Sequence, residues 1–152
     1  MARVRKKKDG PQSIGKSRGG WTTKIHMVAA DARSAFAFCL TPGQAHDAPA
    51  GRDLLQALPA LPRRCRLLMD RAYEGNETRQ LALDLGFIPV VPPLSTRVNP
   101  WSYSKAWYRR RNEIERLFRR LKGFRRIFSR FDKLDVMFMA FLCFALVVEG
   151  LR

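Results

Sequence analysis

Between residues 22 and 32 the apolar side chains Ile25, Met27 and Ala29 alternate with Lys24, His26 and Val28, the two-residue period of a strand with one buried face. Asp31 to Ser34 supply a turn. Residues 35–40 read as the returning strand of a hairpin, ended by Thr41-Pro42-Gly43. The pattern then changes. Asp47 stands ahead of Ala48-Pro49 and of Leu54, Leu55 and Leu58, which predicts a helix capped by Asp47, opened by a proline and closed before Pro59. Arg66-Leu67-Leu68-Met69 predicts a short buried strand that delivers Asp70 at its carboxyl end, with Gly75-Asn76 closing the turn that follows. Residues 77–85 are helical by composition and stop at Gly86, and residues 88–91 form a further strand halted by Pro92-Pro93.

This alternation of strands and helices predicts an α/β fold, a mixed sheet flanked by helices. After a loop over 94–104, residues 105–128 read as one long helix. Its apolar positions Ile114, Leu117, Phe118, Leu121, Phe124 and Phe128 keep helical spacing, and its other faces are packed with arginine. A last apolar helix is predicted from Asp135 to Val148, lying across the core. The apolar run stops at Glu149, short of the roughly 18 residues a membrane span needs. Ahead of the first strand, residues 1–20 combine Arg5-Lys6-Lys7-Lys8 with Gly10-Pro11 and several glycines. No helix or strand period is present there, so 1–20 is expected to be a flexible basic lead-in to one domain over 21–152.

Composition adds a partner. With 152 residues, 46% of them hydrophobic, the chain can bury a real core, so its charge does not signal disorder. Lys and Arg number 29 against 13 Asp and Glu, a net charge of +16, and such a surface attracts a polyanion in a salt-sensitive way. Ribosomal, RNA-binding and membrane-surface proteins share this balance, so charge alone does not choose among them. Cys39, Cys65 and Cys143 form no C-x-x-C pair, and His26 and His46 add no ligand spacing, which points to reduced structural thiols in the cytoplasm and no structural zinc. The basic start has no apolar segment of the kind a signal peptide carries, and no membrane partner is expected.

Within the long helix Tyr108, Arg111, Glu115 and Lys122 stand at spacings of three, four and seven, which places them near one face. On a solvated helix Arg111, Glu115 and Arg119 would be ordinary i,i+4 ion pairs worth a few tenths of a kcal/mol. The four residue types together, however, match the Y-R-E-K signature of bacterial insertion-sequence transposases of the DDE class, and the chain resembles that family elsewhere too. Gly15-Lys16-Ser17-Arg18-Gly19-Gly20, Thr22-Thr23-Lys24-Ile25-His26, Thr41-Pro42-Gly43-Gln44-Ala45-His46-Asp47, Asp70-Arg71-Ala72-Tyr73-Glu74 and Arg130-Phe131-Asp132-Lys133-Leu134 follow in the family's order.

The resemblance implies a partial RNase H-like fold and DNA transposition. It makes Asp70 and Glu115 the second and third catalytic, metal-binding carboxylates of a site that takes two Mg²⁺ or Mn²⁺ ions. Tyr108, Arg111, Arg119, Lys122, Arg125 and Arg126 would support the site or bind double-stranded DNA. It also implies a nucleoid-associated protein that can assemble as a homo-oligomer on DNA. The family's first Asp lies on a central strand upstream of Gly15, where this sequence offers only Asp9 between a lysine run and Gly10-Pro11. The first catalytic strand is therefore expected to be missing and to come from an upstream transposase segment. The chain would be a second-frame product or a relic, inactive alone. The alternative is a non-catalytic basic nucleic-acid-binding protein or regulator of the intact transposase. His26 is expected on the polar side of its strand in a structural or DNA-contact role, and Trp21, Trp101 and Trp107 are candidates for base stacking or ordinary packing.

Overall fold

A computed structural model describes residues 10–59 and 64–152. Strand β1 (Gly15–Ser17) turns into β2 (Gly20–Ala29), which pairs antiparallel with β3 (Ala35–Pro42) from Thr23↔Pro42 to Ala29↔Ala35. The tight β1–β2 turn needs Gly20, whose φ of 106° is open to glycine and strained for other residues. Helix α1 (Asp47–Gln56) follows, then β4 (Arg66–Leu68), a 3₁₀ turn (Arg71–Tyr73), α2 (Asn76–Asp84) and β5 (Ile88–Val90), which pairs parallel with β4. Helices α3 (Lys105–Arg109), α4 (Asn112–Lys122), α5 (Arg125–Phe128) and α6 (Asp135–Gly150) complete the chain. The result is mixed α/β, a partial RNase H-like frame. Its three-stranded and two-stranded sheets are not hydrogen-bonded to each other among the described residues.

The core lies on one face of the β2–β3 hairpin. Ile25, Met27, Ala29, Ala35, Phe38 and Leu40 pack against buried Leu117 and Leu121 of α4, Ile127 of α5, and Phe138, Leu142 and Ala145 of α6. Fully burying a large side chain such as Leu117, Leu121, Phe138 or Leu142 contributes roughly 1.5–3 kcal/mol, which outweighs helix propensity and fixes how α4 and α6 sit. The opposite face of the hairpin is covered by α1, whose Ala50, Leu54 and Leu55 are buried.

Four sequence expectations change. Gly15–Ser17 is a strand, so the lead-in is ordered in that part, while residues 1–9 lie outside the described ones. Asp47 does not cap α1. His46 holds that position without a side-chain bond, and the Asp47 carboxylate instead takes Lys24 Nζ at 2.8 Å. The long helix is three pieces. Between Trp107 and Ile114 the bonds tighten to the i→i+3 kind, and after Lys122 the backbone of Phe124 becomes extended, which lets its ring pack edge-on against Phe141 at 6.3 Å. His26, expected on a polar strand face, is buried because α1 and the 3₁₀ turn cover that face as well.

The segment ahead of β1 is tied to the start of α6. Both Asp135 carboxylate oxygens accept from the Ser13 backbone N–H, at 3.1 and 2.8 Å, and the Asp135 N–H donates to the Gln12 side chain at 2.5 Å. Arg130 joins them, donating to Ser13 O and pairing with Thr23 Oγ1 and Asp135. These partners hold the Asp135 carboxyl below its ordinary range against the opposing effect of burial.

Candidate active site

Asp70 emerges where β4 ends. The Met69 N–H donates to Val90 O at 3.0 Å, carrying the parallel pairing one residue past the strand, and Asp70 then turns extended and accepts from the Arg71 N–H through Oδ1 at 2.6 Å. Its Oδ2 is left facing Arg111 Nη1 at 3.8 Å. Glu115, in the first turn of α4, accepts from Arg111 Nη2 through Oε1 at 2.7 Å. Arg111 therefore stands between the two carboxylates, with its guanidinium 5.6 Å from the centre of the Tyr108 ring. Burial works against its charge, but Tyr108, Asp70 and Glu115 together outweigh that and raise its pKa above the ordinary arginine value.

Three of the four signature residues, Tyr108, Arg111 and Glu115, thus meet. Tyr108 packs edge-on to Tyr103 at 5.7 Å, which fixes the ring beneath the guanidinium. Lys122 lies seven residues along α4 from Glu115, about 10 Å at the helical rise, and is exposed on the same side as Arg119. Neither has a carboxylate partner among the described residues. Arg125 lies 5.9 Å from the Phe131 ring, and Arg126 is held by Asp132 through two bonds of 2.9 and 2.7 Å.

Beneath Asp70 runs a network that sequence reasoning missed. Tyr73, in the 3₁₀ turn that Asp70 opens, is 2.9 Å from His26 Nδ1 through its hydroxyl, and His26 Nε2 is 2.8 Å from Thr41 Oγ1. The Tyr73 ring also lies against Gly51 of α1, where an added Cβ would come within 2.5 Å of it, so only glycine fits there. Burial lowers the His26 pKa below 6.5 and pushes the Tyr73 hydroxyl up to about 12. Both side chains remain neutral near pH 7, and the pair ties the Asp70 turn to the hairpin. The signal available in the sequence was His26 two residues into an apolar alternation with a tyrosine soon after Asp70.

Asp70 and Glu115 line a groove of about 940 Å³ that runs between β2 and β4. Trp107 lies in its wall between Arg66 and Arg110, at 4.2 and 5.2 Å from their guanidinium carbons. Trp101 is a packing residue: its Nε1 donates to Val91 O at 2.8 Å, and Arg79 and Arg97 lie over its ring. Trp21 is exposed. Cys65 and Cys143 are exposed and Cys39 is half-buried, with no disulfide among them.

No cluster of three or more His, Cys, Asp or Glu able to hold a metal is present among the described residues. Asp70 and Glu115 nevertheless fit a hard divalent cation as far as they go. Both offer carboxylate oxygens, both are about half exposed, and both already converge on one positive charge. No helix among the described residues is long and apolar enough to cross a membrane.

An acid at a strand end, a second acid on an arginine-rich helix and a partial RNase H-like frame define a class, that of DDE domains acting on DNA. The chain matches the transposase DDE domain family over residues 2–148 and belongs to it. It is 30% identical over 132 residues to a protein of Brucella ovis described as "Putative transposase for insertion sequence element IS6501", covering 86% of this chain and 99% of that one. No solved structure matches. Membership carries DNA transposition and dependence on divalent metal as general properties of the family.

Proposed function

We propose that the chain supplies two of three metal-binding carboxylates, Asp70 and Glu115, to a site that cuts the backbone at insertion-sequence ends and joins the freed 3′-hydroxyl to target DNA. The observation that carries this reading is the convergence of both carboxylates on Arg111, beside a helix face whose Arg119 and Lys122 have no acidic partner among the described residues. Two divalent ions, Mg²⁺ or Mn²⁺, supply charge stabilisation to the attacking and leaving oxygens when bound. Asp70 and Glu115 would hold them with hard oxygens. Arg111 keeps the two acids aligned, Tyr108 supports that guanidinium, and Arg119, Lys122, Arg125 and Arg126 draw the phosphate chain across α4 and α5.

The third carboxylate comes from an upstream transposase segment, and the chain alone binds double-stranded DNA without cutting it. The experiment compares Mg²⁺- or Mn²⁺-dependent strand cleavage of element-end DNA by this chain and by a form fused to the upstream segment. Cleavage by the fused form and binding alone by the isolated chain are expected. Full cleavage by the isolated chain would overturn the need for a third acid. A fused form that binds but never cuts would favour the second reading, a DNA-binding regulator, to which the two-carboxylate site lends support.

A further inference from the structure

We infer that Thr41, His26 and Tyr73 form a buried brace that sets the direction of the Asp70 carboxylate, which makes all three positioning residues for the site. What concerns metal rests on the proposed function; the brace itself is argued from backbone and hydrogen bonds.

Little else holds Asp70. Strand β4 is three residues long and pairs with β5 alone among the described residues, and Asp70 stands two residues past its end. Two strands by themselves make a marginal sheet. The Asp70 side chain is 58% exposed, and its Oδ2 is 3.8 Å from Arg111, an ion pair too long for a hydrogen bond. Its Oδ1 accepts from the Arg71 N–H, a bond that moves with the turn.

The support comes from inside. Of residues 71–73 only Tyr73 is withdrawn from solvent, and its N–H donates to Asp70 O at 2.9 Å, so the two residues close one turn of backbone. The Tyr73 hydroxyl is 2.9 Å from His26 Nδ1, and Nε2 of the same ring is 2.8 Å from Thr41 Oγ1. His26 stands opposite Cys39, and Thr41 lies two residues further along β3, so both side chains face α1. A neutral imidazole has one donor and one acceptor, so one hydroxyl donates to the ring and the other accepts from it. Removing either hydroxyl leaves a buried ring nitrogen unpaired and frees the ring to turn from its remaining partner. The Tyr73 ring lies hard against Gly51, which closes the way toward α1. The imidazole therefore decides where the tyrosine rests, and with it the Asp70 turn. Glu74, held by Arg97 at 2.7 Å, secures only the far end of that turn.

The consequence is action at a distance. Thr41 makes no hydrogen bond to the Asp70 turn, yet its hydroxyl should be felt there.

The test compares Thr41→Val, which removes that hydroxyl, with Thr41→Ser, which keeps it, and with Tyr73→Phe, all in the full chain. Nuclear magnetic resonance supplies two readouts. One is exchange of the Arg71 and Tyr73 amides, which donate to the Asp70 carboxylate and carbonyl. The other is the Mn²⁺ concentration that half-broadens the Asp70 signal. Thr41→Val and Tyr73→Phe should each speed exchange and raise that concentration at least about fivefold, the lower end of coupling between separate sites. Thr41→Ser should match the parent. Thr41→Val combined with Tyr73→Phe should be no worse than Tyr73→Phe alone, because both cut one chain of bonds. Ile127→Val, in the core on the other face of the hairpin, controls for lost stability and should move neither readout.

A silent Thr41→Val, a Thr41→Ser as damaging as Thr41→Val, an additive pair, or an equal effect of Ile127→Val would overturn the brace. Amides that respond while Mn²⁺ affinity holds would reduce it to a structural tie and overturn the positioning role. If the amides respond as expected and Mn²⁺ broadens neither Asp70 nor Glu115 in any form, the two-carboxylate metal site fails while the brace stands. If Mn²⁺ binds and no variant moves either readout, the site stands and the brace fails.

Discussion

Asp70 and Glu115 share one guanidinium, the first 3.8 Å from Nη1 of Arg111 and the second 2.7 Å from Nη2. Both acids are about half exposed, so the shared ion pair adds only about 0.2–1 kcal/mol to folding. Its effect is on alignment. Arg111→Gln should shift the melting temperature by less than about 4 °C, the change expected for up to 1 kcal/mol in a chain of this size. In the fused form it should lower cleavage at least about tenfold, equivalent to roughly 1.4 kcal/mol of barrier. Arg111→Lys should recover only part of the loss, because an ammonium cannot bridge two acids as a planar fork does. Parallel melting and cleavage assays separate the two effects, and a large melting shift with unchanged cleavage would make the residue merely structural.

Removing either acid should remove the reaction and spare binding. Asp70→Ala and Glu115→Ala in the fused form are expected to lower metal-dependent cleavage by about 100-fold or more, since metal charge stabilisation is worth several kcal/mol. Affinity for element-end DNA, measured by gel shift, should stay within about threefold, because phosphate contacts from the arginines dominate it. Equal losses of binding and cleavage would point to misfolding.

Salt dependence reads the helix face directly. Arg119 and Lys122 have no acidic partner among the described residues, so each is available to a phosphate. Arg119→Ala and Lys122→Ala should each reduce the slope of log K against log salt by about 0.9 on duplex DNA. Arg116→Ala should change it less, because Arg116 is engaged by Glu113 at 3.2 Å. Titrations at several salt concentrations check the order.

The His26–Tyr73 pair makes stability depend on pH at both ends of the scale. Burial lowers the His26 pKa below its unfolded value of 6.5, so unfolding takes up a proton as pH falls below 6.5. The stability from neutral His26 is complete above 6.5 and is lost as pH falls from there toward the lowered value. Tyr73 behaves oppositely: its contribution is complete below pH 10 and is lost as pH rises toward about 12. His26→Asn should flatten the acid limb of the melting profile and Tyr73→Phe the alkaline limb, as thermal melts across pH would record.

How much of this could be read in advance depended on the range of the forces involved. The hairpin was legible because Ile25, Met27 and Ala29 alternate within a few residues, and Asp70 because a short apolar run ends on it. The convergence of Asp70 with Arg111 was legible only through the family resemblance, since nothing local links a strand end to a distant helix. The break at Phe124 was passed over because its spacing is helical, although Gly123, which caps α4, stood there as a stop signal; in the fold the Phe124 ring lies edge-on to Phe141 of α6. His26 was misplaced for a related reason: a strand shows its own period but not whether a second helix will cover its polar side.

The bonds joining Gln12 and Ser13 to Arg130 and Asp135 have a practical bearing on handling the protein. They act as a buckle, fastening the segment ahead of β1 to the base of the final helix, so trimming past Gln12 would loosen both at once. Protein engineers shortening or tagging this molecule should keep Gln12 and Ser13, so that the buckle stays closed.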